Sequence, residues 1–223
     1  NSRTTQDLVE LINIFGAERV LYKPQPIDVA LIRATFADEN GNISMHKEVC
    51  PCDATAMAQA ARNSGGIVIV QVEKVVKAGS IDPKLVKIPG ILVDAVVVSS
   101  PEEHQQCFNK EYDPTLTGEA IAPEGATEPM PLSAKKIIGR RAAMELTENT
   151  VVNLGIGAPE YVSAVANEEG IGDYMTLTVE AGPVGGIPMG GTQFGGSRNA
   201  DCYFDQNVMF DFYDGGGIDL AFL

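Results

Sequence analysis

Apolar residues near the start of the chain recur at helical spacing. Leu8, Leu11 and Ile12 fall on one face and Thr4 or Thr5 is placed as a cap, which predicts a helix over residues 5–14. Strands are predicted over 19–22 and 27–35. A tight turn at Asp38-Glu39-Asn40-Gly41-Asn42 follows, where Asn-Gly favours positive φ, and residues 43–49 are predicted to return as a short strand. Residues 53–63 read as an Ala-rich helix stopped by Ser64-Gly65-Gly66. The runs at 67–72 and 91–98 are largely β-branched, each broken by a single polar residue, Gln71 and Asp94. Such runs predict strands covered on both faces, hence a mainly parallel sheet flanked by helices.

The pattern breaks between 99 and 132, where prolines and acidic residues cluster without apolar periodicity, so an interdomain linker over the surface is expected at 101–132. A second α/β unit then follows. It comprises a Ser-capped helix at 133–146, a strand at 150–154, a helix at 157–169, a strand at 175–180, a glycine-rich stretch at 182–196, an aromatic segment at 204–213 and a last strand at 218–223. The organisation expected is a first domain over 1–100 and a second over 133–223. The opening without a methionine and the apolar terminal run make a central fragment of a longer two-domain enzyme the expectation, with both domains incomplete.

Composition narrows the class of partner. The 223 residues carry 16 Lys and Arg against 30 Asp and Glu, 16 − 30 = −14, with 44% hydrophobic and 21% charged residues. That is a globular composition with enough apolar material for a core. Its acidic balance argues against a nucleic-acid or anionic-membrane surface, because phosphate binding needs clustered Lys and Arg. No apolar run is long enough to cross a bilayer and no signal-peptide core opens the chain, so a soluble, cytoplasmic protein is expected. The densest basic cluster, Lys135, Lys136, Arg140 and Arg141, is read first as the solvated face of a helix. The aromatic residues Phe204, Phe210, Phe212 and Tyr213 are read first as core. Four cysteines are too few for a disulfide framework. Cys50-Pro51-Cys52 has one residue between its thiols where structural zinc sites usually have two, so a structural, metal-free pair is expected.

Chemistry concentrates in two glycine-rich turns. Asn153-Leu154-Gly155-Ile156-Gly157-Ala158-Pro159 passes from strand to helix, where exposed N–H groups form an oxyanion or phosphate site; a tight turn needing small residues is the equal alternative. A dinucleotide fingerprint would need its third glycine at Glu160. The strand at 175–180 ends on Glu180, directly before Ala181-Gly182-Pro183-Val184-Gly185-Gly186. A carboxylate at a strand end is commonly just solvated. Between two glycine-rich loops at the carboxyl ends of strands, it is also what covalent acyl chemistry requires.

The G-x-G-x-P loop at Gly155, the Glu180-Ala181-Gly182 segment and the run Phe210-Asp211-Phe212-Tyr213-Asp214-Gly215-Gly216-Gly217-Ile218-Asp219-Leu220 resemble the second domain of family I CoA-transferases. In the first half Ile27-Asp28-Val29-Ala30-Leu31-Ile32-Arg33, Ala37-Asp38-Glu39-Asn40-Gly41-Asn42-Ile43, Asn63-Ser64-Gly65-Gly66-Ile67-Val68 and Ile88-Pro89-Gly90-Ile91-Leu92-Val93-Asp94 resemble the end of that family's first domain. The likeness is to acetate/propionate CoA-transferases that carry both domains on one chain, and it departs at Ala181, where many relatives have a small polar residue.

The resemblance implies two open, mainly parallel α/β sheet domains and ping-pong transfer of CoA between a short-chain acyl-CoA and a free carboxylic acid. Glu180 would be the nucleophile, and Gly155, Ile156, Gly157, Gly182, Gly185 and Gly186 would supply oxyanion and CoA contacts. Coenzyme A would be a substrate, with no permanently bound cofactor and no metal, and the full-length enzyme would be a homo-oligomer. The fragment alone is expected to be inactive and poorly stable. An acyl-CoA hydrolase on the same fold and a non-catalytic CoA-binding half-protein are the alternatives.

Overall fold

The computed structural model describes residues 3–123 and 129–223. Residues 124–128, within the predicted linker, lie outside the described residues.

The chain opens with a hairpin rather than the expected helix: β1 (Val9–Ile14) pairs antiparallel with β2 (Ala17–Tyr22), from Val9 opposite Tyr22 to Ile14 opposite Ala17. Phe15 and Gly16 both take positive φ, 52° and 80°, the backbone of a two-residue hairpin turn, and Asn13 accepts the Gly16 N–H through its side-chain oxygen. The spacing of Leu8, Leu11 and Ile12 imitates a helix over too short a window. The local Phe-Gly turn and cross-strand pairing decide otherwise.

Next come β3 (Val29–Arg33), β4 (Phe36–Asp38), β5 (Ile43–Ser44), α1 (Ala54–Asn63), β6 (Ile67–Val72), β7 (Lys74–Val76), β8 (Val86–Ile88) and β9 (Ala95–Val98). Strands β3, β6 and β9 form an all-parallel sheet in that order, while β7, β4, β5 and β8 form a second, mixed one. Ala30, Ile32, Val68, Val70 and Val72 pack with Ala54, Ala58 and Ala61 of α1 and with Ile43 and Ile88. The small alanine side chains let the helix lie close on the sheet. At its end Gly66 passes so close to the backbone of Ile27 and Asp28 that a Cβ there would sit 2.4 Å from each carbonyl oxygen.

Two expectations fail here. The β-branched strands are covered on one face only, since Leu31 (72% exposed), Val29, Ile67 and Val97 on the other face are open. The predicted strand at 91–98 begins only at Ala95, because Gly90–Leu92 is a single 3₁₀ turn.

The expected surface linker is in fact tied into both halves. His104, Gln106 and Asp113 are buried, and Leu116 is fully so. The Arg33 guanidinium donates to the carbonyls of Gln106 (3.0 Å) and His104 (3.3 Å) and pairs with the buried Glu48 carboxylate at 2.8 Å. Further along, Tyr203 donates its hydroxyl to the Leu116 carbonyl at 2.9 Å, and Asn199 bonds the Ala122 backbone on both sides. Polar composition, which on average means surface, is here spent on hydrogen bonds to backbone.

The second half contains α2 (Ala134–Ala143), β10 (Thr150–Leu154), α3 (Glu160–Glu168), β11 (Met175–Thr178), β12 (Pro183–Val184), β13 (Ile187–Pro188), β14 (Ser197–Arg198), β15 (Cys202–Tyr203), α4 (Gln206–Phe212) and β16 (Leu220–Phe222). Its sheet runs β15-β12-β11-β10-β16, with β10 parallel to both β11 and β16 and the β11/β12 and β12/β15 pairs antiparallel. The sheet is therefore parallel through β11, β10 and β16 and antiparallel at its β12 and β15 edge, where the chain doubles back at the Glu180 turn instead of crossing over through a helix. Ser133 caps α2 by accepting the Lys136 N–H, and α2 and α3 cover the core of Leu146, Val152, Val162, Val165 and Leu177.

Replacing Arg33 by Met should leave the Glu48 carboxylate buried without its cation. Breaking such a pair costs about 3–5 kcal/mol, read as a lower urea midpoint at unchanged slope. Burial already holds Glu48 above the usual carboxylate range, with Arg33 opposing that rise. The folded variant therefore binds this proton more tightly than the unfolded chain does, and stability falls as pH rises through the carboxylate range. The loss should be larger at neutral pH than near about pH 5.

Candidate functional site

Strands β10 and β11 run parallel with Asn153 opposite Thr178. Two residues beyond each partner come Gly155 and Glu180, so both follow their strands at the same, carboxyl edge of the sheet. Glu180 is half-buried at the corner of a tight turn in which Gly182 N–H donates to the Val179 carbonyl at 2.9 Å and Val179 N–H to the Pro183 carbonyl at 2.9 Å. Gly182 has φ +131°, and a Cβ there would meet the Phe204 carbonyl oxygen at 2.1 Å. Only glycine closes this turn.

Beneath the turn lies a polar network. Tyr213 donates to Thr178 Oγ1 at 2.8 Å, Thr178 Oγ1 donates to the Val152 carbonyl at 3.2 Å, and Asn153 Nδ2 donates to the Thr178 carbonyl at 3.2 Å. Burial raises the Tyr213 phenol above its ordinary range, and the charge on Glu180 adds to the rise, while the bonds to Thr178 and Asn153 oppose it. The phenol thus stays protonated and remains a donor. Sequence reading assigned Tyr213 to the core; the signal that places it here is the distant pairing of β16 with β10, which brings α4 under the Glu180 turn.

The strand-to-helix turn has mostly committed its donors. Gly155 N–H donates to the Phe222 carbonyl at 2.9 Å, and Gly157 N–H donates to the Glu160 carboxylate at 3.1 Å. Glu160, at the first position of α3, thereby occupies the helix N-terminus with the protein's own anion. Among the described residues Ile156 N–H has no acceptor, and its side chain is 70% exposed. Gly185 lies beside Leu177, whose carbonyl accepts its N–H at 2.7 Å, three residues back along β11 from Glu180. With Gly186 it lines a separate cavity of about 650 Å³ that includes Asn167, Thr176 and Asp201. The fold therefore gathers Glu180, Gly155, Ile156, Gly157 and Gly182 at one edge and carries Gly185 and Gly186 down the strand.

The basic cluster is engaged by protein groups. Lys136 pairs with Glu168, Arg140 with Glu169 and Arg141 with Glu145, while Lys135 lies over the Tyr161 ring at 5.3 Å. From the first half, the Cys50-Pro51-Cys52 loop reaches the site's rim: Pro51 Cδ is 3.5 Å from where a side chain on Gly182 would begin, and Gln206 N–H donates to the Cys52 carbonyl at 3.0 Å.

Residues 4–99 match the family model for coenzyme A transferase. The whole chain is 47% identical to the caffeate CoA-transferase of Acetobacterium woodii and 40% identical to the acetate CoA-transferase YdiF of Escherichia coli O157:H7. The chain belongs to the coenzyme A transferase family. It spans 43% and 42% of the lengths of those two relatives. The crystal structure of the YdiF apoenzyme superposes with a TM-score of 0.88 at 38% identity, over 99% of this chain and 41% of that one. A thioester complex of YdiF with CoA superposes with a TM-score of 0.87 at 37% identity, over 99% of this chain and 42% of that one. This family carries the α/β fold described above, in its mixed-sheet form.

The two glycine turns respond differently to a methyl group. Gly157 has φ +93° with open space around a built Cβ, so Gly157→Ala should cost only backbone strain, about 1–3 kcal/mol. Gly182→Ala adds a clash with a backbone oxygen and should be the more destabilising of the two, measured by urea unfolding of both variants against the parent.

Proposed function

We propose that this chain carries the nucleophile of a CoA-transferase that exchanges CoA between an acyl-CoA and a free carboxylic acid, with short-chain acids such as acetate and propionate as substrates. The observation that carries this reading is the placement of Glu180 at the corner of a glycine turn, beside a strand-to-helix turn whose Ile156 N–H is uncommitted. In support, a relative of the same fold is named as a thioester complex with CoA.

One Glu180 oxygen attacks the thioester carbonyl. The C–S bond breaks, CoA leaves as a thiolate and an acyl-glutamyl anhydride remains. The thiolate then attacks the γ-carbonyl of Glu180, releasing the first acid as its carboxylate and leaving a γ-glutamyl-CoA thioester. The acceptor carboxylate reverses the sequence. Each step exchanges activated acyl groups of similar energy, so the protein's task is positioning and oxyanion stabilisation more than proton transfer.

Ile156 N–H is the donor we assign to the developing oxyanion, with Gly155 and Gly157 holding the turn through their own bonds. Gly182 shapes the Glu180 turn, and a CoA contact from Gly185 or Gly186 is confined to the pantetheine or nucleotide end. CoA is a substrate in this reading, with no permanent cofactor and no metal. No helix among the described residues is long and apolar enough to cross a membrane. We take the enzyme to be a cytoplasmic homo-oligomer with the domain division at 1–100, 101–132 and 133–223. The hydrolase alternative would use the same Glu180 and admit water, and free acid released without an acceptor would reveal it.

In the enzyme containing this chain, Glu180→Gln should abolish CoA transfer, lowering it by several orders of magnitude, while CoA binding survives. Glu180→Asp should be severely impaired because the attacking oxygen withdraws by about 1 Å. Borohydride after incubation with acyl-CoA should convert Glu180 to the alcohol. A label on another carboxylate, or parental turnover in Glu180→Gln, would refute the assignment.

A further inference from the structure

Away from the polar network at Glu180, the turn Cys50-Pro51-Cys52 holds two thiols with their sulfurs 3.3 Å apart. Cys52 has φ +45°, a conformation uncommon outside glycine, and the turn is fixed from two sides. Gln206 N–H, from the other half of the chain, donates to the Cys52 carbonyl at 3.0 Å, and Ala54 N–H donates to the Pro51 carbonyl at 3.3 Å. The sulfurs therefore meet because the fold holds the backbone that carries them. Residues two apart have Cα atoms at most about 7 Å from each other, within the reach of a disulfide.

Reagents can reach the pair. Both cysteines are half-buried and line a cavity of about 260 Å³ with Met57 and Gln106, and Cys50 also walls a cavity of about 520 Å³ with Cys107, Phe108 and Phe194. The two thiols are unequal. The contact with Cys50 lowers the Cys52 thiol below its ordinary range against the pull of burial, while the same contact and burial raise Cys50. Cys52 is thus the thiol favoured as the first attacking thiolate, and Cys50, held beside it at 3.3 Å, is the thiol in reach of the mixed disulfide.

We propose that Cys50 and Cys52 form a redox dithiol, oxidised reversibly to an intramolecular disulfide by a low-molecular-weight disulfide. The Cys52 thiolate attacks one sulfur of the oxidant, whose S–S bond breaks; one thiolate leaves with the electron pair and a mixed disulfide forms on Cys52. Cys50 gives its proton to water and attacks the Cys52 sulfur, expelling the second thiol. Two protein thiols are oxidised, and one external disulfide is reduced to two thiols. The bridge draws the sulfurs from 3.3 Å to about 2 Å.

The test uses the protein equilibrated with glutathione buffers of increasing oxidised fraction, alkylated with iodoacetamide and digested with trypsin. Cleavage after Lys47 and Arg62 gives a peptide whose only cysteines are Cys50 and Cys52. Its expected form under oxidising buffer has lost two hydrogens and resists alkylation, and after dithiothreitol it returns as the doubly alkylated peptide. In Cys50→Ser the reaction should stop at glutathione on Cys52. Double alkylation at every poise, a link from Cys50 to Cys107 or Cys202, or an unmodified Cys52 in Cys50→Ser would each overturn the proposal.

Discussion

The parallel pairing of Thr150–Leu154 with Met175–Thr178 is the constraint from which the site follows. Its register sets Asn153 beside Thr178, and the two side chains reinforce the pairing, one bonding the neighbouring strand's backbone in each direction. A slip of one residue would turn both polar groups to the opposite face and bury them without partners. With the register held, the chain leaves both strands at the same edge, which carries the Gly155 turn and the Glu180 turn. Tyr213 closes the arrangement from beneath, bonded to Thr178 and within the field of Glu180.

A second set of contacts joins the halves around this edge. Arg33 and Glu48 anchor the segment after residue 99 to the first sheet. Tyr203 and Asn199 fasten its continuation to the second half. Lys87 pairs with Asp205, and the Cys50-Pro51-Cys52 turn sits against Gly182. The first half thus forms part of the wall behind the Glu180 turn. The two halves thus meet at this turn, although their cores are separate clusters.

Much of this was legible from local pattern. The helix at 53–63, the strands at 67–72 and 150–154, and the Asp38 to Asn42 turn depend on propensity and short-range bonds, such as those from Asp38 to the N–H groups of Asn40 and Asn42. The Gly155 and Gly182 turns were legible as strand-end turns because glycine reaches backbone conformations other residues avoid, as Gly157 and Gly182 do at φ +93° and +131°. The opening hairpin was not, since the spacing of Leu8, Leu11 and Ile12 fits a helical period while the Phe15-Gly16 turn and the cross-strand pairing decide for strands. The burial of His104, Gln106 and Asp113 was not either, because a polar side chain gives no sign of which backbone group it will satisfy.

By itself, the sequence determined the α/β class, the order of most elements and the two glycine turns, because these rest on side-chain periodicity and on backbone conformations that only certain residues adopt. Only the tertiary structure decided which donors remain available at those turns. Gly155 and Gly157 spend theirs on Phe222 and Glu160, and Ile156 keeps its own. It also decided that Tyr213, 33 residues after Glu180 in the chain, lies beneath that turn, and that Cys50 and Cys52 meet at 3.3 Å. The Gly155 bond to Phe222, the Tyr213 bond to Thr178 and the Gln206 bond that holds the Cys52 backbone join groups distant in sequence, and no local pattern records such pairings.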